Sequence, residues 1–336
     1  MRSLLRRLAP DLACLALLAL LPLVFFFPVT LGGRTLLPID NLYQLEPWAS
    51  HRVEQGVPEV PHNALLSDLI LQNYAWKTFL RESLAAGELP LWQPNQFAGT
   101  PFLANGQHSA LYPFSLLMLV LPLPVAYGWF TVSQLALAGA LMFLLVRGLG
   151  LSRAAGVVSG VSYQLSGFFI TATVHPMIQA GAAWLPLILL MVEYILQGRA
   201  LFPASAQAAG LRRLPWVLIG ALALGMSFLA GHVEITYYTL LVTALYAVLR
   251  GMSLLYAGQW RPLGPAAASV ALLVGLGFGL GAAQFLPFLE TANASFRTER
   301  SSLAEVRGFA LPERHLLVWA MPNVFGNPAH IPPLTL

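Results

Sequence analysis

The sequence predicts an all-α polytopic membrane protein, and three observations carry that prediction. Hydrophobic residues make up 57% of the 336 residues, while charged residues make up only 10%. Apolar runs near twenty residues, the length that crosses a bilayer as an α-helix, recur along the chain. A long polar segment, residues 32–110, interrupts these runs early in the chain. A soluble domain of this length does not have this composition.

Apolar windows of about twenty residues predict seven transmembrane helices. The windows are residues 11–31, 124–146, 154–174, 177–196, 214–230, 233–249 and 266–289. The stretch 111–123 is too short to span and is bracketed by prolines, so we expect it to re-enter the membrane or lie against it. The first window is long and lacks a small-residue cleavage site, which indicates an uncleaved signal anchor.

The basic residues predict how the helices are oriented. In the predicted topology, the arginines of the short loops lie on the same side as Arg2, Arg6 and Arg7. They are Arg147, Arg153, Arg199, Arg212, Arg213, Arg250 and Arg261. By the positive-inside rule that side is cytoplasmic, so we expect a multi-pass protein of the inner membrane with a cytoplasmic N-terminus. Of the fourteen acidic residues, only Asp11 and Glu193 are not on the opposite side, which indicates that the outer face is the working surface.

The predicted topology divides the chain into four parts. Residues 1–31 form the cytoplasmic N-terminus and the first transmembrane helix, and residues 32–110 form an extracytoplasmic loop with an interfacial helix. Residues 111–289 contain the re-entrant segment and transmembrane helices two to seven, and residues 290–336 form an extracytoplasmic C-terminal segment. The single cysteine, Cys14, excludes an intramolecular disulfide. The formal charge of +4 is scattered among loops, which argues against a nucleic-acid surface.

The loop contains one predicted helix. In residues 66–86, LSDLILQNYAWKTFLRESLAA, apolar side chains form a stripe at helical spacing, and Lys77 is expected off that stripe. Such an amphipathic helix is suited to the plane of the membrane interface. Asp68 has two interpretations at this point: it caps the start of the helix, or it is a functional carboxylate.

Ionisable residues also occur at two predicted outer turns. His175 follows the third span, and His232 and Glu234 lie between the fifth and sixth spans. Each histidine alone is interpreted either as a turn or cap residue at a wet boundary or as part of a site. If the helices form a bundle, these side chains converge beneath the loop. The chain has no HExxH, no histidines paired at helical spacing and no DxD, so the signal for a metal site is weak and the sequence requires no cofactor. A divalent ion held between carboxylates and a pyrophosphate remains open.

Longer motifs carry a resemblance to a known family. The run SDLILQNYAWKTFLRESLAAGELPLWQPNQFAGTPFLANGQHSALYPFSLL, followed by FLAGHVEITYYTLL and AAQFLPFLE, resembles the YfhO-like bacterial membrane proteins. That family belongs to the GT-C class of glycosyltransferases. The similarity implies a GT-C-like bundle of about seven transmembrane helices with a long first extracytoplasmic loop. Members of the family are usually longer, so we expect this chain to correspond to a truncated or N-terminal portion.

The resemblance also implies a function. It implies transfer of a sugar from a polyprenyl-phosphate donor to an envelope acceptor on the outer face, with an acid of the first outer loop as the catalytic base. Asp68 matches that acid best and Asp40 is the second candidate. The departing phosphate requires donors, and the chain offers His175, His232 and a C-terminal group of arginines that includes Arg297 and Arg300. Side chains expected to bind sugar hydroxyls are Glu46, Asn105, Gln107, His108 and Glu234.

Two other classes of function remain as alternatives. A lipid or solute transporter would have ionisable residues at mid-bilayer and broken helices in matching positions. The predicted spans instead hold Gln134, Gln164 and Gln179 as their strongest polar features, and such residues more often serve helix packing. A non-catalytic assembly protein or an inactive fragment would tolerate the loss of Asp68 and Asp40.

Overall fold

The computed structural model describes residues 2–59, 61–63, 66–201, 212–295, 302–308 and 310–326, with side chains from residue 8 onward. The described residues are mostly helical. The α-helices are α1 (Arg2–Phe25), α2 (Phe27–Thr30), α3 (Tyr74–Ala85), α4 (Leu116–Val120), α5 (Leu123–Gly148), α6 (Arg153–Gln164), α7 (Gly167–Thr171), α8 (Pro176–Ala182), α9 (Leu185–Leu196), α10 (Leu214–Leu229), α11 (Val233–Tyr256), α12 (Leu263–Asn293) and α13 (Leu303–Gly308). Two short strands, β1 (Trp92–Gln93) and β2 (Thr100–Pro101), pair antiparallel in the loop.

Within the described residues, six helical segments are long and apolar enough to cross a membrane, which confirms an all-α polytopic membrane protein. They are Leu8–Phe25, Leu123–Gly148, Arg153–Val174, Pro176–Leu196, Val233–Tyr256 and Leu263–Asn293. Each overlaps one of the predicted windows. The segment 111–123 is too short to span, as predicted: it forms a 3₁₀ turn and the five-residue helix α4, which packs against α5.

The remaining predicted span, α10, is shorter than the others. Its 16 residues extend about 24 Å, which is less than the hydrocarbon thickness of about 30 Å. At one end, Arg213 Nε donates to the Ile195 carbonyl at 3.0 Å; at the other, the Ala230 carbonyl accepts from Ser109 Oγ at 2.6 Å. Because Ile195 lies at the end of α9 and Ser109 lies in the long loop, α10 connects the two ends of the bundle despite its length.

Glycines allow α10 to pack closely against α12. A Cβ atom on Gly277 would lie 2.6 Å from the side chain of Leu224, and one on Gly281 would lie 2.6 Å from that of Phe228. Neither distance is possible for a real side chain, so only glycine permits this helix separation. Small residues at such a contact are typical of helix pairs in membranes.

The third and fourth spans are interrupted, which the sequence did not predict. The third changes from α6 to α7 at Ser166, whose hydroxyl accepts from the Phe169 amide at 3.4 Å. The fourth changes from α8 to α9 after Ala182, whose carbonyl accepts from Tyr163 Oη at 2.9 Å. Gln179 Nε2 donates to the Phe169 carbonyl at 2.7 Å. These side chains satisfy backbone groups at the breaks, as a low-dielectric environment requires.

The predicted loop helix exists, but its apolar stripe is covered by protein. Trp76 and Leu80 pack with Phe102 of the loop. Lys77, expected off the stripe, is only 2% exposed, and its Nζ donates to the His108 carbonyl at 2.6 Å. That expectation was wrong because Lys77 lies three residues before Leu80, at the helical spacing of the stripe itself. The charge of a residue does not override its position on a helix.

Ion pairs lie at one end of the bundle, which we call the ion-paired end. Asp11 of α1 accepts from Arg147 Nε at 3.0 Å and from Arg153 Nε at 3.1 Å. Glu193 of α9, 1% exposed, accepts from Arg250 Nε at 3.0 Å. These contacts place the start of α1 beside the end of α5 and the start of α6. The opposite end, covered by residues 32–122, is called the loop end.

Candidate functional site

A polar cavity of about 180 Å³ lies at the loop end, between the start of the loop helix and the tips of the transmembrane helices. We call it the Asp68 cavity. Its lining residues are Asp68, Leu69, Gln72, Asn73, Trp76, Gln107, Val174, His175, Met177 and His232. Four of the predicted site residues therefore meet here, although they come from distant parts of the sequence. They are Asp68, Gln107, His175 and His232.

Asp68 is an exposed carboxylate rather than a helix cap. Its backbone is already helical, with φ −58° and ψ −34°, and its side chain makes no capping hydrogen bond. The N-cap interpretation of this residue is therefore wrong. Gln72 Nε2 donates to Asp68 Oδ1 at 3.3 Å, which fixes the carboxylate at the wall of the cavity.

A π-helical turn, Leu69–Asn73, follows Asp68 directly. Such turns inside helices frequently mark functional sites. At its end, Asn73 is 3% exposed and accepts from Tyr127 Oη of α5 at 2.8 Å through Oδ1. Its amide nitrogen, Nδ2, is buried without a hydrogen-bond partner. Asn73 was not among the predicted site residues, although it lies four residues after Leu69 and three before Trp76, on the buried stripe.

His175 and His232 lie at two helix starts that face the cavity. His232 caps α11, because its Nδ1 accepts from the Ile235 amide at 3.4 Å, so the proton of the neutral ring is on Nε2. This confirms the cap interpretation of His232, which also lines the cavity. His175 precedes α8, and its side chain makes no capping bond.

Burial lowers the pKa of both imidazoles below its ordinary value. For His175 the negative charge of Asp68 partly opposes this shift. For His232, Glu234 opposes it and His175 reinforces it. Both rings are therefore mainly neutral at pH 7, where each can donate one hydrogen bond and accept another.

A second cavity of about 200 Å³ adjoins the first. Gln107 and His232 line both cavities, so they form a shared wall. The other lining residues are Asn105, Gly106, Gly231, Val233, Glu234 and Phe288. We call this the Glu234 cavity. Glu234 is exposed and accepts from Tyr238 Oη at 2.7 Å, and Asn105 lies opposite on the loop. Two further predicted residues thus join the site.

Close backbone contacts hold the loop over the helix tips. Ser109, at φ 52°, donates through Oγ to the Ala230 carbonyl. Gly231, at φ 90°, approaches the loop so closely that a Cβ atom on it would lie 2.8 Å from the Gly106 carbonyl oxygen. Glycine is needed at position 231 for both the backbone conformation and the space.

His108 lies beneath the cavities and lines neither of them. It is fully buried and stacks on Phe102. Its Nδ1 accepts from the Ala110 amide at 2.8 Å, and its Nε2 therefore donates to the Leu103 carbonyl at 3.0 Å. Burial lowers the pKa of His108 to about 4, and it lowers the pKa of Lys77 to about 7. His108 thus supports the loop that carries Asn105 and Gln107.

The remaining predicted residues lie elsewhere. Asp40 accepts from the His62 amide at 2.5 Å through Oδ2 and lines neither cavity. Glu46 is exposed and also lines neither. Arg297 and Arg300 lie outside the described residues. Across the described part of the chain, no group of three or more His, Cys, Asp or Glu side chains is arranged to hold a metal ion.

The fold and the site together define a class: a polytopic α-helical membrane protein with a polar cleft between one long loop and the tips of its helices. The model of one family, described as "Bacterial membrane protein YfhO", matches residues 53–209. The resemblance predicted from the loop motifs is therefore confirmed over this range, which includes Asp68, Asn73, Gln107 and His175. No curated protein and no solved structure matches the chain.

Proposed function

We propose that this protein is a membrane glycosyltransferase, which moves a sugar from a polyprenyl-phosphate donor to a hydroxyl of an envelope acceptor. The observation that carries the proposal is the convergence of Asp68, Gln107, His175 and His232 on one cavity. The general class of the YfhO-like proteins supports it. A carboxylate surrounded by neutral donors and acceptors is suited to binding hydroxyls and removing a proton from one of them.

In this proposal Asp68 is the general base. The carboxylate takes the proton of the acceptor hydroxyl as that oxygen attacks the sugar carbon, and the bond from this carbon to the phosphate oxygen breaks. Gln72 orients the carboxylate through its amide. Asp40 is the weaker candidate, because one of its oxygens already accepts from a backbone amide away from the cavity.

The phosphate leaves with its negative charge and requires cationic or hydrogen-bonding groups. No Arg or Lys side chain is among the described lining residues of either cavity. Arg297 and Arg300 follow α12, which ends at the loop end beside the Glu234 cavity. We assign them to the phosphate. A divalent ion that bridges a carboxylate and the phosphate remains a proposal as well.

The orientation belongs to the same proposal. The arginines of the ion-paired end face the cytoplasm, and the loop end faces the outer side of the inner membrane. The lipid donor would then lie in the bilayer with its sugar in the cleft. The partners are the lipid-linked sugar, a glycan acceptor and the bilayer.

A transporter is the second candidate, because the third and fourth spans are interrupted at α6–α7 and α8–α9. Broken helices in transporters usually present free backbone groups to a substrate. Here Tyr163 and Gln179 hydrogen-bond to carbonyls at these breaks. These two carbonyls are therefore satisfied, and Gln179 Oε1 is the buried polar atom left without a partner there. The ionisable and amide side chains instead converge on the Asp68 cavity, so the enzyme is the better-supported candidate.

The test is sugar transfer from a panel of labelled polyprenyl-phosphate sugars in membranes that contain the chain. Asp68→Asn is expected to lower the rate by about 10²- to 10⁴-fold, which is the usual contribution of a general base. Glu82→Gln is the matched control, because Glu82 is an exposed acid on α3 that lines neither cavity. Equal rates for the wild type and Asp68→Asn would exclude Asp68 as the base. Uptake of a solute with no transfer would favour the transporter.

A further inference from the structure

We propose that Asn73 binds the ligand of the Asp68 cavity and that this ligand is an uncharged polyhydroxyl group, a sugar ring, rather than the phosphate. This inference rests on the proposed function, and it assigns the parts of the donor to different places. The sugar occupies the Asp68 cavity, and the phosphate lies outside it.

The side-chain amide nitrogen of Asn73 is buried and unpaired. A buried donor without a partner is destabilising, so nearly all such groups in folded proteins are paired. Asn73 Nδ2 has no partner, although the residue is 3% exposed. Because Asn73 lines the Asp68 cavity, a group bound there is the partner available to this nitrogen. An oxygen that accepts a hydrogen bond satisfies it.

A hydrogen bond from Tyr127 holds the side-chain amide of Asn73. Tyr127 Oη donates to Asn73 Oδ1 at 2.8 Å, so the oxygen of the amide is occupied. Tyr127 is 2% exposed and belongs to α5, a membrane-spanning helix. In this arrangement a residue of the membrane bundle contacts the oxygen of the loop amide, and the nitrogen is the atom left without a partner. Tyr127 is a positioning residue in this arrangement.

The charge of the residues that line the Asp68 cavity favours an uncharged ligand. Among the described residues that line the cavity, Asp68 alone carries a full charge at pH 7, because His175 and His232 are mainly neutral. A negative cavity whose described lining holds no Arg or Lys side chain disfavours a phosphate. A sugar ring suits it, because each hydroxyl both donates, as Asp68 requires, and accepts, as Asn73 requires.

The volume of the Asp68 cavity favours a small ligand. The cavity of about 180 Å³ is smaller than the roughly 300–1,000 Å³ of pockets that hold drug-sized ligands. It is therefore suited to a single ring rather than to a whole lipid-linked donor.

The experiment measures ligand binding to the full chain in lipid nanodiscs. The probes are methyl glycosides of common hexoses and N-acetylhexosamines, and inorganic phosphate is the anionic probe. Binding of each glycoside is measured by saturation-transfer NMR. The variants are Asn73→Asp, which keeps the acceptor for Tyr127 and replaces the amide NH₂ with a carboxyl oxygen, and Tyr127→Phe. The matched control is Asn41→Asp, because Asn41 is also buried at the loop end but lines neither cavity.

The two Asn→Asp variants are expected to behave in opposite ways. Asn73→Asp should bind a glycoside of the panel about three- to tenfold more weakly, the effect of one hydrogen bond, and Tyr127→Phe should weaken it by a smaller factor. Asn41→Asp should leave binding unchanged but lower the melting temperature more, because Asn41 Nδ2 donates to the Asn63 carbonyl at 3.1 Å in the native fold.

Three results would overturn the inference: no glycoside of the panel binds the folded wild type, Asn73→Asp binds as tightly as the wild type, or phosphate displaces the glycoside. Transfer assays separate this failure from that of the proposed function. Transfer with an unchanged KM in Asn73→Asp contradicts the role of Asn73 and leaves the enzyme in place. Glycoside binding that depends on Asn73, without transfer from any donor, supports the subsite and contradicts the enzyme.

Discussion

The two ends of the helix bundle use similar residue types in different ways. At the ion-paired end, Asp11 is held by two arginines, and Glu193 accepts from Arg250, Tyr246 and Gln197. At the loop end, acids lie beside amides and hydroxyls: Asp68 beside Gln72, and Glu234 beside Tyr238.

This difference separates structural from functional polar groups. A carboxylate already paired with arginines has no capacity left for a ligand, and its loss harms the fold. A carboxylate at a cavity wall that is held by a single neutral group remains available. The unpaired amide nitrogen of Asn73 lies at the same end as Asp68 and Glu234.

The strongest way to test this contrast is to break a pair at the ion-paired end. Arg250→Met leaves Glu193, which is 1% exposed, without its cation. We expect the free energy of unfolding in detergent to fall by about 3–5 kcal/mol, the usual cost of an uncompensated buried charge. Asp68→Asn should change the same quantity by less than about 0.5 kcal/mol. Equal losses from the two variants would show that the two ends do not differ.

The second test uses acid. The pKa of His108 is about 4 in the folded protein and 6.5 in an ordinary environment, so the unfolded chain binds the proton first as the pH falls. Neutral His108 contributes on the order of 3 kcal/mol to the free energy of unfolding. This contribution is fully present above pH 6.5 and is lost as the pH falls from 6.5 to 4.

Thermal unfolding of the wild type and His108→Gln across this range measures the effect. The variant should lose less stability than the wild type on acidification. Lys77 lies close to His108, and its positive charge lowers the pKa of the imidazole further. Parallel curves for the two proteins would contradict the assignment.

The third test concerns the close contact between Gly231 and the loop at Gly106. Gly231→Ala places a methyl group about 2.8 Å from the Gly106 carbonyl and forces a side chain into φ 90°. Strained backbone of this kind costs about 1–3 kcal/mol. We expect sugar transfer to fall together with stability, because Gly231 and Gly106 line the Glu234 cavity. The matched control is Gly279→Ala on α12, where a Cβ atom meets nothing within 4 Å. A normal rate of sugar transfer in Gly231→Ala would show that the contact between Gly231 and Gly106 does not position the cleft.

The smallest expected effect on stability is that of His175→Gln. The imidazole makes no capping bond, so the free energy of unfolding should change by less than about 0.5 kcal/mol. The rate of transfer should nevertheless fall, because the side chain lines the Asp68 cavity. A large loss of stability without a change in rate would assign His175 to the structure.

The sequence predicted the general architecture well, because hydrophobicity acts locally. Six of its seven windows are long apolar helices, and the loop helix lies where its apolar stripe indicated. It also selected Asp68, His175 and His232, since ionisable residues at membrane boundaries are few. It did not predict the two interrupted spans, because their breaks depend on partners such as Tyr163 and Gln179 in neighbouring helices.

Local patterns of residues were thus enough to establish a helical membrane protein, the position of its polar loop and the side chains that are available for chemistry. Which of these side chains form a site depended on how the helices and the loop pack together. His108 was expected to bind sugar but lies in the core, whereas Asn73 was not considered but lines the cavity. The reason is that hydrogen-bond satisfaction depends on contacts between distant residues. Tyr127 occupies one end of the Asn73 amide from 54 positions away in the sequence, and no local pattern records that the other end is left unpaired.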